Sequence, residues 1–117
     1  MLSLATTRAF LEEAANRRRV VTYRDVASVL EAWPPNTIHQ VTDILERLME
    51  EDAAANRPFI AAFAVSGTFG HLPRRGFFDS ASRLGRFDGD PDSQDAKTYH
   101  ANEVNAAYAF WGSADDR

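Results

Sequence analysis

The sequence predicts an α+β fold, and the stretch 18–48 contains the observations that indicate it. Three features follow one another there: a short β-branched run, a brief amphipathic helix that two prolines stop, and a longer amphipathic helix. A strand that leads into two helices joined by a tight turn is the order of a helix-turn-helix. We therefore predict a winged-helix-like core at about residues 4–70, a small sheet, and a C-terminal helical extension at about 76–112.

Composition limits what the chain can be. With 117 residues, 44% of them hydrophobic and 26% charged, it is expected to form a single domain over residues 1–117. It has no cysteine, which excludes disulfides, thiol nucleophiles and the common structural zinc sites. Acidic and basic residues near the start, with no long apolar run, predict neither a signal peptide nor a membrane span, and hence a cytoplasmic location.

Capping signals and apolar periodicity indicate the first three helices. A first helix runs to about Asn16, with Ser3 or Thr6 as its cap. The spacing of Thr22 and Asp25 is that of a capping box, so a second helix begins directly after Thr22 and ends at the prolines. Asn36 is predicted to cap the third helix, which ends near Asn56. The inward line of the third helix consists of Ile38, Val41, Leu45, Leu48 and Asp52.

The second half is predicted to add a strand and two helices. The apolar run 59–65 has the length of a strand covered on both faces, although a short buried helix would show the same pattern. With residues 20–22 it would form the small sheet. A helix over 77–84 is closed by Gly85, and a last helix over about 96–111 is capped by Asp95.

Charge is segregated along the chain. The net charge of −4 and pI near 5.3 argue against a protein that grips nucleic acid over its whole surface. Local basic patches exist, however, at Arg17, Arg18, Arg19 and Arg24 and at Arg74, Arg75, Arg83 and Arg86. The acidic residues gather elsewhere, at Glu46, Glu50, Glu51 and Asp52 and at Asp88, Asp90, Asp92 and Asp95.

No spacing in the sequence converges on a catalytic or metal site. Asp88, Asp90 and Asp92 open like a calcium-binding EF-hand loop, but Ser93 stands where glycine is needed and Tyr99 where a bidentate glutamate is needed. An enzyme that uses His71 or His100 with this acidic loop is therefore only the third hypothesis. We predict no catalytic residues, no metal and no cofactor.

The residues from Val21 to Val41 resemble the C-terminal domain of O6-alkylguanine-DNA alkyltransferases and their cysteine-free alkyltransferase-like relatives. Those proteins have a short strand reading roughly VTTYGDIA, a proline-containing turn, a recognition helix, an Asn-Pro segment and an apolar strand. The resemblance covers about residues 10–70 and implies a winged helix-turn-helix that enters the DNA minor groove. The matching residues are Val21, Thr22, Tyr23, Asp25, Val26, Ala27, Pro34, Pro35, Thr37 to Val41, and Asn56 to Pro58.

The departures from that family restrict what the resemblance implies. The family's nucleophilic cysteine would fall within 59–66, where no thiol exists, so alkyl transfer to cysteine is excluded. His39 stands where the family inserts an arginine into the base stack, and Tyr23 matches the tyrosine near the target phosphate. The stretch 57–78 also resembles a group of small bacterial proteins of unassigned function.

Two functional hypotheses from different classes follow. In the first, the chain is a non-catalytic module that binds duplex DNA through its third helix and flanking arginines. In the second, the acidic third helix and the aromatic residues Trp33, Phe69 and Trp111 face a protein partner or a second copy of the chain. The predicted DNA-binding residues are Arg18, Arg19, Tyr23, Arg24, Asn36, Thr37, His39, Gln40, Arg74 and Arg75.

Overall fold

The computed structural model describes residues 4–67 and 71–112, and within them the fold is mostly helical with a small parallel sheet. It is a compact α+β globule, with a Cα radius of gyration of 13.3 Å. Ser3 and Phe69 lie outside the described residues. The elements are α1 Leu4–Asn16, β1 Val21–Thr22, α2 Tyr23–Leu30, α3 Thr37–Ala54, β2 Ala64–Val65, α4 Arg75–Arg83 and α5 Gln94–Ala107.

The predicted capping box starts α2. The Thr22 hydroxyl accepts from the Asp25 amide at 3.1 Å, and the Asp25 carboxylate accepts from the Thr22 amide at 3.0 Å. Two backbone N–H groups that the helix itself cannot pair are satisfied in this way. At its other end α2 stops at Leu30, before the prolines, because Glu31 adopts a left-handed conformation with φ 55°.

Asn36 precedes α3 as predicted, but it does not cap that helix with its side chain. Its backbone is left-handed, with φ 69°, and its side chain makes no capping hydrogen bond. An N-terminal cap requires extended backbone geometry, so the prediction of a side-chain cap is wrong. Instead, the Gln40 amide donates to the carbonyls of Trp33 at 3.1 Å and Pro35 at 3.4 Å, which ties the turn to the first turns of α3.

The inward face of α3 is confirmed except at its first position, because Ile38 is 41% exposed. Val41, Leu45, Leu48 and Asp52 are buried. The helix ends at Ala54, and Asn56 takes the left-handed conformation expected of it, with φ 59°.

The apolar run 59–65 is a strand only at its end. Ile60–Phe63 forms a 3-10 helix, and Ala64–Val65 alone pairs with β1, in parallel, with Val21 opposite Ala64. The prediction of a strand over the whole run is therefore wrong. Side chains of other elements, rather than a neighbouring strand, are the hydrogen-bond partners of its first backbone groups. The Phe59 amide donates to Glu103, the Ile60 amide donates to Asp52, and His100 is bonded to the Ala62 carbonyl.

The two C-terminal helices lie close to their predicted positions. Gly85, with φ 82°, follows α4 as the expected left-handed glycine. The cap of α5 is Ser93, whose hydroxyl accepts from the Asp95 amide at 3.1 Å, so the prediction of Asp95 as the cap is wrong. A π-helical turn, Tyr108–Gly112, continues α5 and packs on α1.

Aromatic rings join α4 and α5 to the 3-10 segment. Phe77 lies at the centre, with its ring edge-on to Phe59 at 6.1 Å and to Phe78 at 5.2 Å. On the other side it meets Tyr99 at 6.3 Å and His100 at 6.2 Å. Edge-to-face pairs of this kind add to the free energy of area burial, so the C-terminal helices form part of the same core.

A buried carboxylate links α1, α3 and the 3-10 segment. Asp52 has 0% exposure, and its Oδ1 lies 2.9 Å from Arg8 Nη1 and 2.7 Å from Arg57 Nε. Its Oδ2 accepts from the Ile60 amide at 3.0 Å. A charge removed from water needs such partners, and here they come from three separate segments.

Asp52→Asn is expected to lower the free energy of unfolding by about 3 kcal/mol, because two guanidinium groups would lose their shared anion. Denaturant unfolding followed by circular dichroism measures the change. The matched control is Glu51→Gln, which removes the other carboxylate paired with Arg8, at 3.0 Å, from a side chain that is 46% exposed. That change is expected to stay within about 1 kcal/mol. Equal losses in the two variants would contradict a special role for Asp52.

Candidate nucleic-acid interface

A groove opens where the starts of α2 and α3 meet the chain that leaves β2. We call it the α2–α3 groove; its volume is about 560 Å³. Among the described residues, two arginines and no carboxylate line it, although the chain as a whole is acidic. Its lining residues are Thr22, Tyr23, Arg24, Ala27, Thr37, Ile38, Ser66, Gly67 and Arg74.

Tyr23 fixes the segment that supplies Arg74. The ring is 6% exposed, and the hydroxyl accepts from the Arg74 amide at 2.7 Å. Burial raises the pKa of Tyr23, and the hydrogen bond from Arg74 acts in the opposite direction. The phenol therefore stays neutral at physiological pH and serves as a structural acceptor, while the Arg74 side chain remains exposed.

Four of the ten predicted DNA-binding residues line the α2–α3 groove. Arg24 and Arg74 are exposed, Thr37 is half-buried, and Tyr23 is buried behind them. Thr37 is the first residue of α3, so the groove reaches the beginning of the predicted recognition helix. The fold thus joins two arginines that are far apart in the sequence.

Three of the other predicted residues have contacts elsewhere. Arg18 lies 4.6 Å over the Tyr108 ring and donates to Asn105 at 3.2 Å, which places it against the C-terminal end of α5. Arg75 forms an ion pair with Asp92 at 2.8 Å. Gln40 spans the α2–α3 turn through the two hydrogen bonds described above. The remaining three are exposed: Arg19, Asn36 and His39.

The acidic residues of α3 lie beyond its first turn, and two of them are paired in addition to the buried Asp52. Glu50 lies 3.4 Å from Arg83, and Glu51 lies 3.0 Å from Arg8. Asp43 is exposed, whereas Glu46 is half-buried. A polyanion could therefore approach the first turn of α3 but would meet negative charge farther along the helix.

A second polar cluster, which the sequence did not predict, joins the second half of α5 to the segment after α4. Glu103 Oε2 accepts from the Phe59 amide at 2.7 Å and lies 3.7 Å from Arg86. Arg86 also stacks over the Phe59 ring at 4.4 Å. The one available signal was Asp52, an acidic residue on the apolar line of α3, which indicated a buried charge in need of partners.

His100 lies inside the core rather than at a reactive surface. It is 7% exposed, and its Nε2 lies 2.8 Å from the Ala62 carbonyl, so the neutral ring donates from Nε2. Burial lowers the pKa of His100 below its usual 6.5, and the bond to Ala62 partly opposes that change. His71, the other histidine of the enzyme hypothesis, is exposed and has a left-handed backbone, with φ 59°.

The lowered pKa of His100 predicts a loss of stability in mild acid. Below about pH 6.5 the unfolded chain binds a proton at His100 that the folded chain does not bind, so the free energy of unfolding falls as the pH falls. In the same range, His100→Gln should show a shallower decline than the wild type. Urea midpoints measured across that range test this.

The matched control is His39→Gln, which changes an exposed histidine of α3. Glu103 has the opposite effect on the pH dependence of stability. Burial raises its pKa, so its contribution to the free energy of unfolding is present at low pH and is lost as the pH rises through the folded pKa. A His100→Gln curve parallel to that of the wild type would show that His100 is not the source of the decline.

Comparisons with family models, curated proteins and solved structures found no match to this chain. Across residues 4–67 and 71–112, none of the helices combines the length and apolar character needed to cross a membrane. In the same part of the chain, no three His, Asp or Glu side chains are grouped so that they could hold a metal ion.

Proposed function

We propose that this chain is a non-catalytic, winged-helix-like module of the cytoplasm that binds duplex DNA at the α2–α3 groove. The observation that carries the proposal is the pair Arg24 and Arg74, both exposed, in a groove that opens at the first turn of α3 and whose described lining contains no carboxylate. Two arginine side chains that the fold brings into one groove suit contacts with neighbouring phosphates.

Local hydrogen bonds fix the backbones at Arg24 and Arg74, which supports the proposal that both side chains contact phosphates. Arg24 lies in the first turn of α2, which the capping box of Thr22 and Asp25 fixes. Arg74 is anchored through its backbone by the Tyr23 hydroxyl, which leaves its side chain exposed. Fixed backbones limit the entropy lost when the guanidinium groups bind, so both contacts would contribute to affinity.

The first turn of α3 would supply contacts to bases. Thr37 lines the groove, and Asn36 and His39 are exposed beside it. His39 occupies the position at which the resembling family inserts an arginine. Asp43 and the acidic residues after it would repel the phosphates of DNA. We therefore expect α3 to present its N-terminal end to the DNA rather than to lie along a groove of the duplex. Arg19 is exposed and available to a flanking phosphate, whereas Arg18 and Arg75 would first have to leave their present partners.

On this proposal, Arg24→Gln and Arg74→Gln each weaken binding to a short mixed-sequence duplex by roughly tenfold at low salt, because each removes one phosphate contact. Each should also reduce the slope of log affinity against log salt by about one. Fluorescence anisotropy titrations at several salt concentrations measure both quantities.

The matched control is Arg17→Gln, which removes an exposed arginine that pairs with Glu13 at 2.7 Å on α1, outside the groove lining. It should reproduce the wild-type salt slope except for a small change from net charge. No saturable binding by the wild type at low salt, or equal effects of all three substitutions, would refute the proposed site.

Trp33 favours a second candidate, a protein-interaction module. Its side chain is 71% exposed at the α2–α3 turn, and Ile38, in the first turn of α3, is 41% exposed. Large exposed apolar side chains are enriched at protein contacts. Trp111, by contrast, is half-buried against the core.

If this patch joins two copies of the chain, Trp33→Ser should convert a dimer to a monomer in light scattering. The substitution keeps the backbone carbonyl that accepts from Gln40, so the turn is expected to survive. Phe110→Ser, at another exposed aromatic residue with 54% exposure, is the control. A wild-type monomer, or an unchanged dimer in the Trp33 variant, would argue against self-association here.

A further inference from the structure

A second groove adjoins the α2–α3 groove on the side of α4. We call it the α4 groove; its volume is about 570 Å³, and its lining includes Arg75, Pro91 and Asp92. The two grooves share Ser66 and Arg74 as lining residues, so they meet at Arg74. A polyanion bound at Arg74 would therefore reach the α4 groove with its next charges.

Arg75 would extend the basic surface beyond Arg74, but its charge is already matched. Its Nη1 donates to Asp92 Oδ2 at 2.8 Å, and its Nε lies 3.9 Å from Asp79 Oδ1. The hydrogen bond to Asp92 and the charge of that carboxylate raise the pKa of Arg75, and Asp79 and Asp90 act in the same direction. Among the described residues that line the α4 groove, Asp92 is the one carboxylate. At Arg75 a carboxylate thus occupies the position that a phosphate oxygen would take.

Hydrogen bonds on both sides of Asp92 hold it beside Arg75. The Asp92 amide donates to Asp90 Oδ1 at 2.9 Å. The Ser93 hydroxyl donates to the Asp90 carbonyl at 2.8 Å and also caps α5. None of these bonds uses the Asp92 carboxylate, so the backbone keeps its position whatever that carboxylate binds. Both side chains of the pair face solvent, at 61% exposure for Arg75 and 71% for Asp92, so a phosphate can reach them.

We propose that the Arg75–Asp92 ion pair is an autoinhibitory contact that ends the DNA footprint at Arg74, a role that rests on the proposed binding at the α2–α3 groove. To contact Arg75, a phosphate would have to replace Asp92. That exchange trades one charge-assisted hydrogen bond for another and leaves the Asp92 carboxylate unpaired beside the phosphates of the duplex. Arg75 therefore adds no net affinity while Asp92 keeps its charge.

Asp92→Asn tests this contact, because it removes the charge and keeps the backbone bond to Asp90. The side chain is exposed, so the unfolding midpoint should stay close to that of the wild type. With Arg75 released to make one further phosphate contact, binding to the short mixed-sequence duplex should strengthen by roughly tenfold at low salt. The slope of log affinity against log salt should steepen by about one. Fluorescence anisotropy titrations of both proteins at several salt concentrations measure these changes.

Two further variants separate the ion pair from net charge. Asp88→Asn makes the same change in net charge at an exposed residue outside both groove linings, and it should keep the wild-type slope. The double variant Arg75→Gln with Asp92→Asn lacks the guanidinium that Asp92→Asn releases, so its slope should return to the wild-type value. A double variant that keeps the steeper slope, or equal slopes in Asp92→Asn and Asp88→Asn, would overturn the proposal.

The outcomes also distinguish this contact from DNA binding itself. Saturable binding by the wild type with an unchanged affinity and slope in Asp92→Asn would overturn the autoinhibitory contact and leave the DNA site standing. Binding by Asp92→Asn alone would show a stronger inhibition of the same kind. No saturable binding by either protein at low salt would overturn both the contact and the proposed function.

Discussion

The buried carboxylate of Asp52 is the constraint on which much of this fold depends. It has no exposure to solvent, so its charge must be neutralised within the protein. Arg8 and Arg57 supply the positive charge, and the Ile60 amide supplies a hydrogen bond. These three partners fix α1, the end of α3 and the 3-10 segment relative to one another. Because Arg86 in turn donates to the Arg57 carbonyl, the segment after α4 is tied to the same centre.

The same interactions explain why so apolar a segment as 59–65 forms only two residues of strand. A strand would have needed neighbours on both edges for its backbone groups. Side chains from other elements serve instead: Asp52 and Glu103 accept from the amides of Ile60 and Phe59, and His100 donates to the Ala62 carbonyl. The polar residues inside this core therefore act chiefly on the backbone. They also hold the side chains of Arg57, Arg86 and Glu103 in place beside the 3-10 segment.

The arginines of this chain differ in whether they face solvent or share a carboxylate within the protein. In the α2–α3 groove, Arg24 and Arg74 face solvent and the described lining contains no carboxylate, an arrangement that suits the exposed phosphates of a long polyanion. Beside α5, Arg57 and Arg86 are partly buried and share the carboxylates of Asp52 and Glu103, so their charge is neutralised within the protein. An acidic chain can thus keep Arg24 and Arg74 exposed in one groove, because several of its carboxylates pair with other arginines or lie in the core.

The sequence by itself determined the local elements. Thr22 and Asp25 started α2, apolar periodicity defined the inward face of α3, and Gly85 closed α4, because each of these signals acts within one or two turns of the chain. Tertiary structure decided the rest. Whether 59–65 became strand or helix depended on Asp52, Glu103 and His100 as hydrogen-bond partners, and the choice of groove-lining arginines depended on the Tyr23 hydroxyl, 51 positions before Arg74 in the chain. Periodicity and capping do not report contacts between residues so far apart, which is why Arg18 and Arg75 were grouped with Arg24 and Arg74 by sequence but separated from them by the fold.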